Sequence, residues 1–414
     1  MSKLSVAVLQ NRNFRLLLLV RMFTAFTLQA QAVIVGWQIY SITKDPFMLG
    51  LVGLAEALPA LTCALVSGYI VDHSSPYRVY LLCLAALAFN TLGLYLLAGG
   101  VAEVPESSLV IWIFAGVFIS GLARSFTMPA AFSILPQIVE RRHISAASAW
   151  QSSSFQLSSI CGPAVAGLIY GGYGAQGAWL LPATMMTLAF ILACFMRVPH
   201  HPKEDKKREP VLQSLKAGWK FIFSTPVLLS VMALDMFGVL FGGATAMLPA
   251  FADQILHVGS QGLGVLRASP ALGAIVTGLA LALWPLRKVR AKQMLWVVTG
   301  FGVCMIGFGL STAFWLSMLF LILSGALDCI SVVMRGTLMQ LLTPDHMRGR
   351  VSSVNSMFII SSNEIGAFES GVAARFMGLA PSVIFGGLAT LAVVGITALV
   401  SPKFRKTVVD TENS

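Results

Sequence analysis

The sequence predicts an all-α membrane protein, with twelve transmembrane helices in two six-helix bundles related by a pseudo-twofold axis. Three observations carry that expectation. Hydrophobic residues occupy 57% of the 414 positions and charged residues only 11%. A soluble chain runs at roughly 45–50% and about 25%, so too few charges exist here to cover a water-facing surface. The apolar residues also fall into long continuous runs, each near the ~20 residues that a bilayer core requires. Finally, glycines and charged residues recur at offsets close to half the chain length.

In order, the runs are 14–40, 47–71, 78–100, 109–136, 144–170, 177–197, 225–252, 260–285, 292–312, 314–342, 350–376 and 381–400. The first follows Arg12 and carries Arg21 inside it. It is too long for a signal-peptide apolar region and lacks a small-residue cleavage site, so it is expected to be a retained span. Lys44 separates it from the second, and Arg78 opens the third. Arg141 and Arg142 divide the fourth from the fifth, and Arg197 closes the sixth. Arg287, Lys288, Arg290 and Lys292 divide the eighth from the ninth, and Arg348 and Arg350 divide the tenth from the eleventh. Lys403, Arg405 and Lys406 follow the last. Transmembrane β-strands are excluded because their residues alternate, whereas stretches such as Leu16–Val20 are continuously apolar. The expected organisation is a bundle over 1–197, a cytoplasmic linker over 198–220, a second bundle over 221–401 and a cytoplasmic tail over 402–414.

Charge orients the chain. The excess of 28 Lys+Arg over 17 Asp+Glu gives +11, which in a soluble protein would suggest nucleic acid. In a membrane protein it marks the cytoplasmic loops. With the N-terminus inside, 22 of the 28 basic residues become cytoplasmic, only Lys44 and Arg375 lie outside, and four fall within spans. Both termini are thus expected in the cytoplasm and no nucleic-acid partner is expected. The six cysteines lie in apolar runs without CxxC spacing, so no metal site is indicated. The sequence carries no GxxxxGK[ST], HExxH or GxSxG element, and neither an enzyme nor a cofactor is expected. A channel would need a filter ring, usually built by subunit symmetry. A duplicated chain, expected to act as a monomer in the lipid bilayer, fits alternating access to a small-molecule substrate better.

The duplication is visible in particular residues. Gly121 and Gly325, Gly162 and Gly366, and Gly167 and Gly371 are each 204 apart, and Gln137 and Gln340 are 203 apart. Arg21-Met22-Phe23 matches Asp235-Met236-Phe237 at 214, as Gly50 matches Gly264. Two such halves joined by a basic linker are an architecture of secondary transporters. Between spans 2 and 3 stand Gly68, Asp72 and Arg78. Span 5 holds Gly162-Pro163 and Gly167, and Thr343–Val351 (TPDHMRGRV) follows span 10. These elements resemble the major facilitator superfamily over nearly the whole chain. The last, with Phe132–Val139 (FSILPQIV), is similar to its drug- and siderophore-exporter branch, which contains enterobactin-exporter-like and macrolide-efflux-like permeases. The inner Arg and Gly of the family's span 2–3 motif are here His73 and Ser75. The resemblance implies a multi-pass protein of the bacterial inner membrane that exports a siderophore or amphipathic compound by proton antiport; import on the same fold is the alternative. It also implies a cytoplasmic gate at Gly68, Asp72, Arg78, Arg348, Gly349 and Arg350.

Ionisable residues inside spans are the candidates for substrate cavity and coupling. Each costs at least about 2.5–3.5 kcal/mol at the bilayer centre, so each must pair or face a cavity. They are Arg21, Glu56, Arg124, Asp235, Arg267, Asp328, Arg335, Glu364 and Glu369, with Gln31 beside them. Ser324, Asp328, Ser331 and Arg335 stand at i, i+4, i+7 and i+11, on one helical face. Arg21, Thr24, Gln31 and Gln38 share another, and Ser145, Ser148, Ser152 and Ser159 a third. At repeat-related positions the charge sign inverts: Arg21 against Asp235, Glu56 near Arg267, Arg124 against Asp328. Two arrangements follow. Either the charges pair across the halves, with Arg21–Asp235 foremost, or each pairs within its own half.

Overall fold

A computed structural model represents the protein and describes residues 8–140, 143–198, 211–284, 288–344 and 347–410. Asn11 starts α1 (Arg12–Thr43), its side chain accepting the Phe14 N–H at 3.2 Å, as an N-cap residue does. Lys44, in the left-handed region at φ 50°, ends it. Next come α2 (Pro46–His73), α3 (Pro76–Ala98) and α4 (Glu106–Ile138). Ile144–Cys194 forms 51 residues of helix broken at Gly174, whose φ of 65° and ψ of −164° suit only glycine. It is therefore two spans, α5 (144–173) and α6 (175–194).

The second half begins with a short helix, α7 (Val211–Ser224), and continues into α8 (Pro226–Gly242). A 3-10 turn, Ala244–Met247, joins α8 to α9 (Leu248–Gln254), so that these form one span. Then follow α10 (Gly259–Leu283), α11 (Ala291–Leu310), α12 (Phe314–Leu342), α13 (Arg348–Met377) and α14 (Leu379–Val400). Among the described residues nine stretches are long and apolar enough to cross a membrane, one of them containing both α5 and α6. With α2 and α13 the spans number twelve, in the order that the sequence predicts.

The all-α fold class stands, with one small addition: β1 (Lys288–Arg290) and β2 (Val408–Asp410) pair antiparallel, Val289 opposite Val409. The segment after α14 carries structure of its own. It forms α15 (Pro402–Lys406) and β2, and Phe404 is fully buried in a cluster with Val231, Leu234, Met334 and Leu338. Burial of its aromatic ring favours this docking over solvent. The linker, in turn, contains α7. Ile222 on that helix clusters with Val351 and Val354 of α13, and the Trp219 ring packs at a tilt against Phe358, centroids 5.2 Å apart. Lys216 and Lys220 occupy its exposed face. Residues 199–210 of the linker, Arg141, Arg142 and residues 411–414 lie outside the described residues.

The chain divides into two compact units. Unit 1 comprises Met1–Lys44, Ala55–Lys207 and Gly259–Ala268; unit 2 comprises Asp45–Leu54, Arg208–Val258 and Ser269–Ser414. The boundary thus differs from a cut at the linker: each sequence half gives ten residues to the other's unit. The repeat glycines explain how helices come so close inside each unit. A β-carbon on Gly121 (α4) would lie 2.5 Å from the Glu56 carbonyl oxygen on α2, and one on Gly325 (α12) 2.0 Å from that of Pro270 on α10. At Gly162 (α5) it would meet the Phe26 carbonyl on α1 at 3.0 Å, and at Gly366 (α13) the Leu240 carbonyl on α8 at 2.7 Å. Gly167 packs on Gly264 within unit 1, and Gly371 on Gly50 within unit 2. Small residues that admit close backbone approach are what helix packing in lipid selects.

Candidate functional site

The most concentrated chemistry in unit 2 lies where α8, α11 and α12 meet. Asp235 on α8 forms an ion pair with Arg335 on α12, and both side chains are only 7% exposed. Two residues of that α12 face, Asp328 and Ser331, line a small cavity of about 20 Å³ together with Asp235, Leu234, Gly238 and Phe301. Side chains on a helix lean toward its N-terminus, so Arg335 leans back along α12 toward Ser331 and Asp328. The fourth member of the face, Ser324, is buried and donates to the Leu321 carbonyl at 2.8 Å. Asp328 has no ion-pair partner among the described residues. The Ser331 hydroxyl is buried without a hydrogen-bond partner. The cavity is therefore lined by two carboxyl groups, of which Asp235 is paired with Arg335.

Unit 1 holds a second, more open pair. Arg124 on α4 binds Glu56 on α2, with side chains 45% and 27% exposed. The Gly121 crossing on α4, one turn from Arg124, brings these helices together. Arg21 on α1 is half-buried and donates from Nη1 to Gln151 Oε1 on α5 at 2.6 Å. Two pairs follow the second arrangement, Asp235 with Arg335 and Glu56 with Arg124, each within its own half, while Arg21 has a neutral partner.

The remaining candidates separate from these groups. Gln31 is buried and donates to Ser120 Oγ at 3.2 Å, and Asn90 donates to the same oxygen at 2.9 Å. Gln38 donates to the Ala98 carbonyl and accepts from Trp179 Nε1. Both glutamines therefore tie α1 to its neighbours. In the serine row of α5, Ser148 and Ser152 are exposed and Ser159 accepts from Gln29; the side chain of Ser145 lies outside the described ones. Arg267 is half-buried in the part of α10 that belongs to unit 1. Glu364 and Glu369 are half-buried on α13 and do not line the unit 2 cavity. Of the gate candidates, Arg78 and Arg348 are exposed, and Arg350 is half-buried with Nη1 3.6 Å from Met347 Sδ. The surroundings of Gly68, Asp72 and Gly349 lie outside the described residues. Among the described residues no three His, Cys, Asp or Glu side chains form a metal-ligating group.

Gln151, Phe301 and Phe404 are the functional-region residues that sequence reasoning misses. A neutral amide in a serine-rich helix and two Phe among 26 carry no distinguishing signal.

Comparison with known proteins places these features in context. A sequence profile of the Major Facilitator Superfamily matches residues 17–367. The enterobactin exporter EntS of Citrobacter koseri is 27% identical over 92% of this chain and 90% of its own length. EntS of Escherichia coli is 27% identical over 95% of this chain and 92% of that protein. Among solved structures, a bacterial homologue of the iron transporter ferroportin in an inward-facing state aligns with a TM-score of 0.69 at 16% identity, covering 96% of this chain and 99% of that one. A D-xylose-proton symporter aligns at 0.72 with 10% identity, covering 95% and 99%. These two likenesses are of fold alone.

Proposed function

Because the chain belongs to the Major Facilitator Superfamily, and is thereby a multi-pass membrane transporter of small molecules, we propose that it exports an enterobactin-like siderophore or a related amphipathic compound in exchange for protons. The observation that carries this reading is the unit 2 cavity, where Asp328 stands without an ion-pair partner among the described residues beside Asp235, itself paired with Arg335. A carboxylate facing a cavity changes its proton affinity when hydration or neighbouring charge changes, which is what coupling to alternating access requires. The EntS relatives support the direction and the solute class. On this reading the protein acts in the bacterial inner membrane with both termini in the cytoplasm, and Asp72 with the Arg348–Arg350 segment serves a cytoplasmic gate.

Everted membrane vesicles test it. Enterobactin should accumulate when the interior is made acid, and a protonophore should abolish that accumulation. Asp328→Asn should bind the solute yet respond to the pH gradient at least tenfold less. Accumulation that ignores the gradient would remove proton coupling, and failure of enterobactin and other siderophores to move at all would remove the proposed solute class.

A further inference from the structure

Arg21 presents a different chemistry from the cavity of unit 2. It lies nine residues into α1 (Arg12–Thr43), where an unpaired guanidinium is costly. Among the described residues its hydrogen-bond partner is the neutral Gln151, and no carboxylate pairs with it. The groups around it are also short of acceptors. Gln151 spends its carbonyl oxygen on Arg21, and its Nε2 is buried without a partner. Thr24, one turn along α1 and 6% exposed, has a buried hydroxyl without a partner. Threonines elsewhere in these helices donate back to the carbonyl four residues earlier, as Thr43, Thr127 and Thr187 do. Tyr80 on α3, 1% exposed and within electrostatic reach of Arg21, likewise has a buried hydroxyl without a partner.

In this part of unit 1 one cation thus lacks a charged acceptor, and three neutral donors lack any, among the described residues. Buried polar groups are rarely left unpaired, and a charged acceptor makes the strongest bonds to such donors. We infer that Arg21, Gln151, Thr24 and Tyr80 form an anion-accepting subsite that binds an acidic oxygen, a carboxylate or phenolate, of the transported solute. The inference rests on the transporter reading and names the charge of its substrate. It also assigns the two units different tasks: unit 1 takes the solute's negative group, while unit 2 handles the proton.

Binding, rather than flux, tests the subsite, so that its failure is distinct from failure of the export reading. The full chain in lipid nanodiscs is titrated with radiolabelled salicylate in a scintillation-proximity assay, with salicylamide as the neutral competitor. Saturable binding is expected, displaced by unlabelled salicylate at least tenfold more effectively than by salicylamide. Arg21→Gln and Gln151→Leu should each weaken it at least tenfold, and Arg21→Lys less than Arg21→Gln. Gly93→Ala, where an added methyl meets nothing within 4 Å, should leave it unchanged. Size-exclusion profiles establish that each variant is folded, and Gln151→Leu keeps the test valid if Arg21→Gln does not fold. Absence of salicylate binding, equal competition by salicylamide, or wild-type affinity in the folded variants would overturn the subsite while leaving proton-driven export standing.

Discussion

At the scale of single residues, two ion pairs of the same chemistry stand in opposite surroundings. Asp235 and Arg335 are almost wholly enclosed, whereas Arg124 is nearly half-exposed. Removing one partner of an enclosed pair strands the other charge and costs about 3–5 kcal/mol; an exposed pair is worth about 0–1 kcal/mol. Asp235→Asn and Arg335→Gln should therefore each lower the unfolding temperature of the purified protein sharply. The double variant Asp235→Leu with Arg335→Met should recover most of that loss yet remain inactive in vesicles. Glu56→Gln should move the same transition little. The face carrying Ser324, Asp328, Ser331 and Arg335 is legible from helical spacing alone. The partner of Asp235 is not, because repeat offsets relate equivalent positions and say nothing about which helices are neighbours within a bundle. The donors around Arg21 are illegible for a similar reason: Tyr80 and Gln151 meet it from helices whose relative rotation no sequence pattern specifies.

At the scale of elements, helix contacts depend on a few positions where a side chain has no room. Gly325 and Gly273 close the same crossing from opposite sides: a β-carbon at Gly273 would fall 1.9 Å from the Ile322 carbonyl oxygen. Gly336, later on α12, has nothing within 4 Å of an added β-carbon. Gly325→Ala should push α10 and α12 apart and reduce both stability and transport. Gly336→Ala should stabilise the protein by up to about 1 kcal/mol through helix propensity. Thermal unfolding of the two variants side by side checks the contrast. These crossings were half-visible in the sequence, since the glycines recur at a constant offset, but which carbonyl each one meets needed the structure. The β-ribbon was hidden more deeply. Three-residue strands fall below any periodicity that a pattern can reveal, and the basic residues around both of them read first as topology signals.

At the scale of the whole molecule, the twelve spans, their order and the internal duplication are legible because bilayer thickness and apolar run length are coupled so directly. The exchange of ten-residue segments is not, since it concerns where within α2 and α10 the packing changes allegiance. Gly50 and Gly371 touch within unit 2, and Gly167 and Gly264 within unit 1. Any cycle that moves the two sequence halves must release these contacts or bend α2 and α10. Gly50→Val or Gly371→Val should therefore lower transport at least tenfold while the protein still elutes as a folded species. Gly93→Ala and Gly395→Ala, where an added methyl meets nothing within 4 Å, should transport normally. Vesicle flux normalised to protein amount checks both. The same exchange bears on how the chain is made. Translation delivers α1 to α6 long before Gly259–Ala268, so the first unit to be synthesised waits, inserted but incomplete, for a piece of the second. Unit 2 waits longer still, because Phe404 emerges only after the last span. Insertion into the membrane and closure of the cores are consequently separate events, and the interval between them is when quality-control proteases have their best access to this chain.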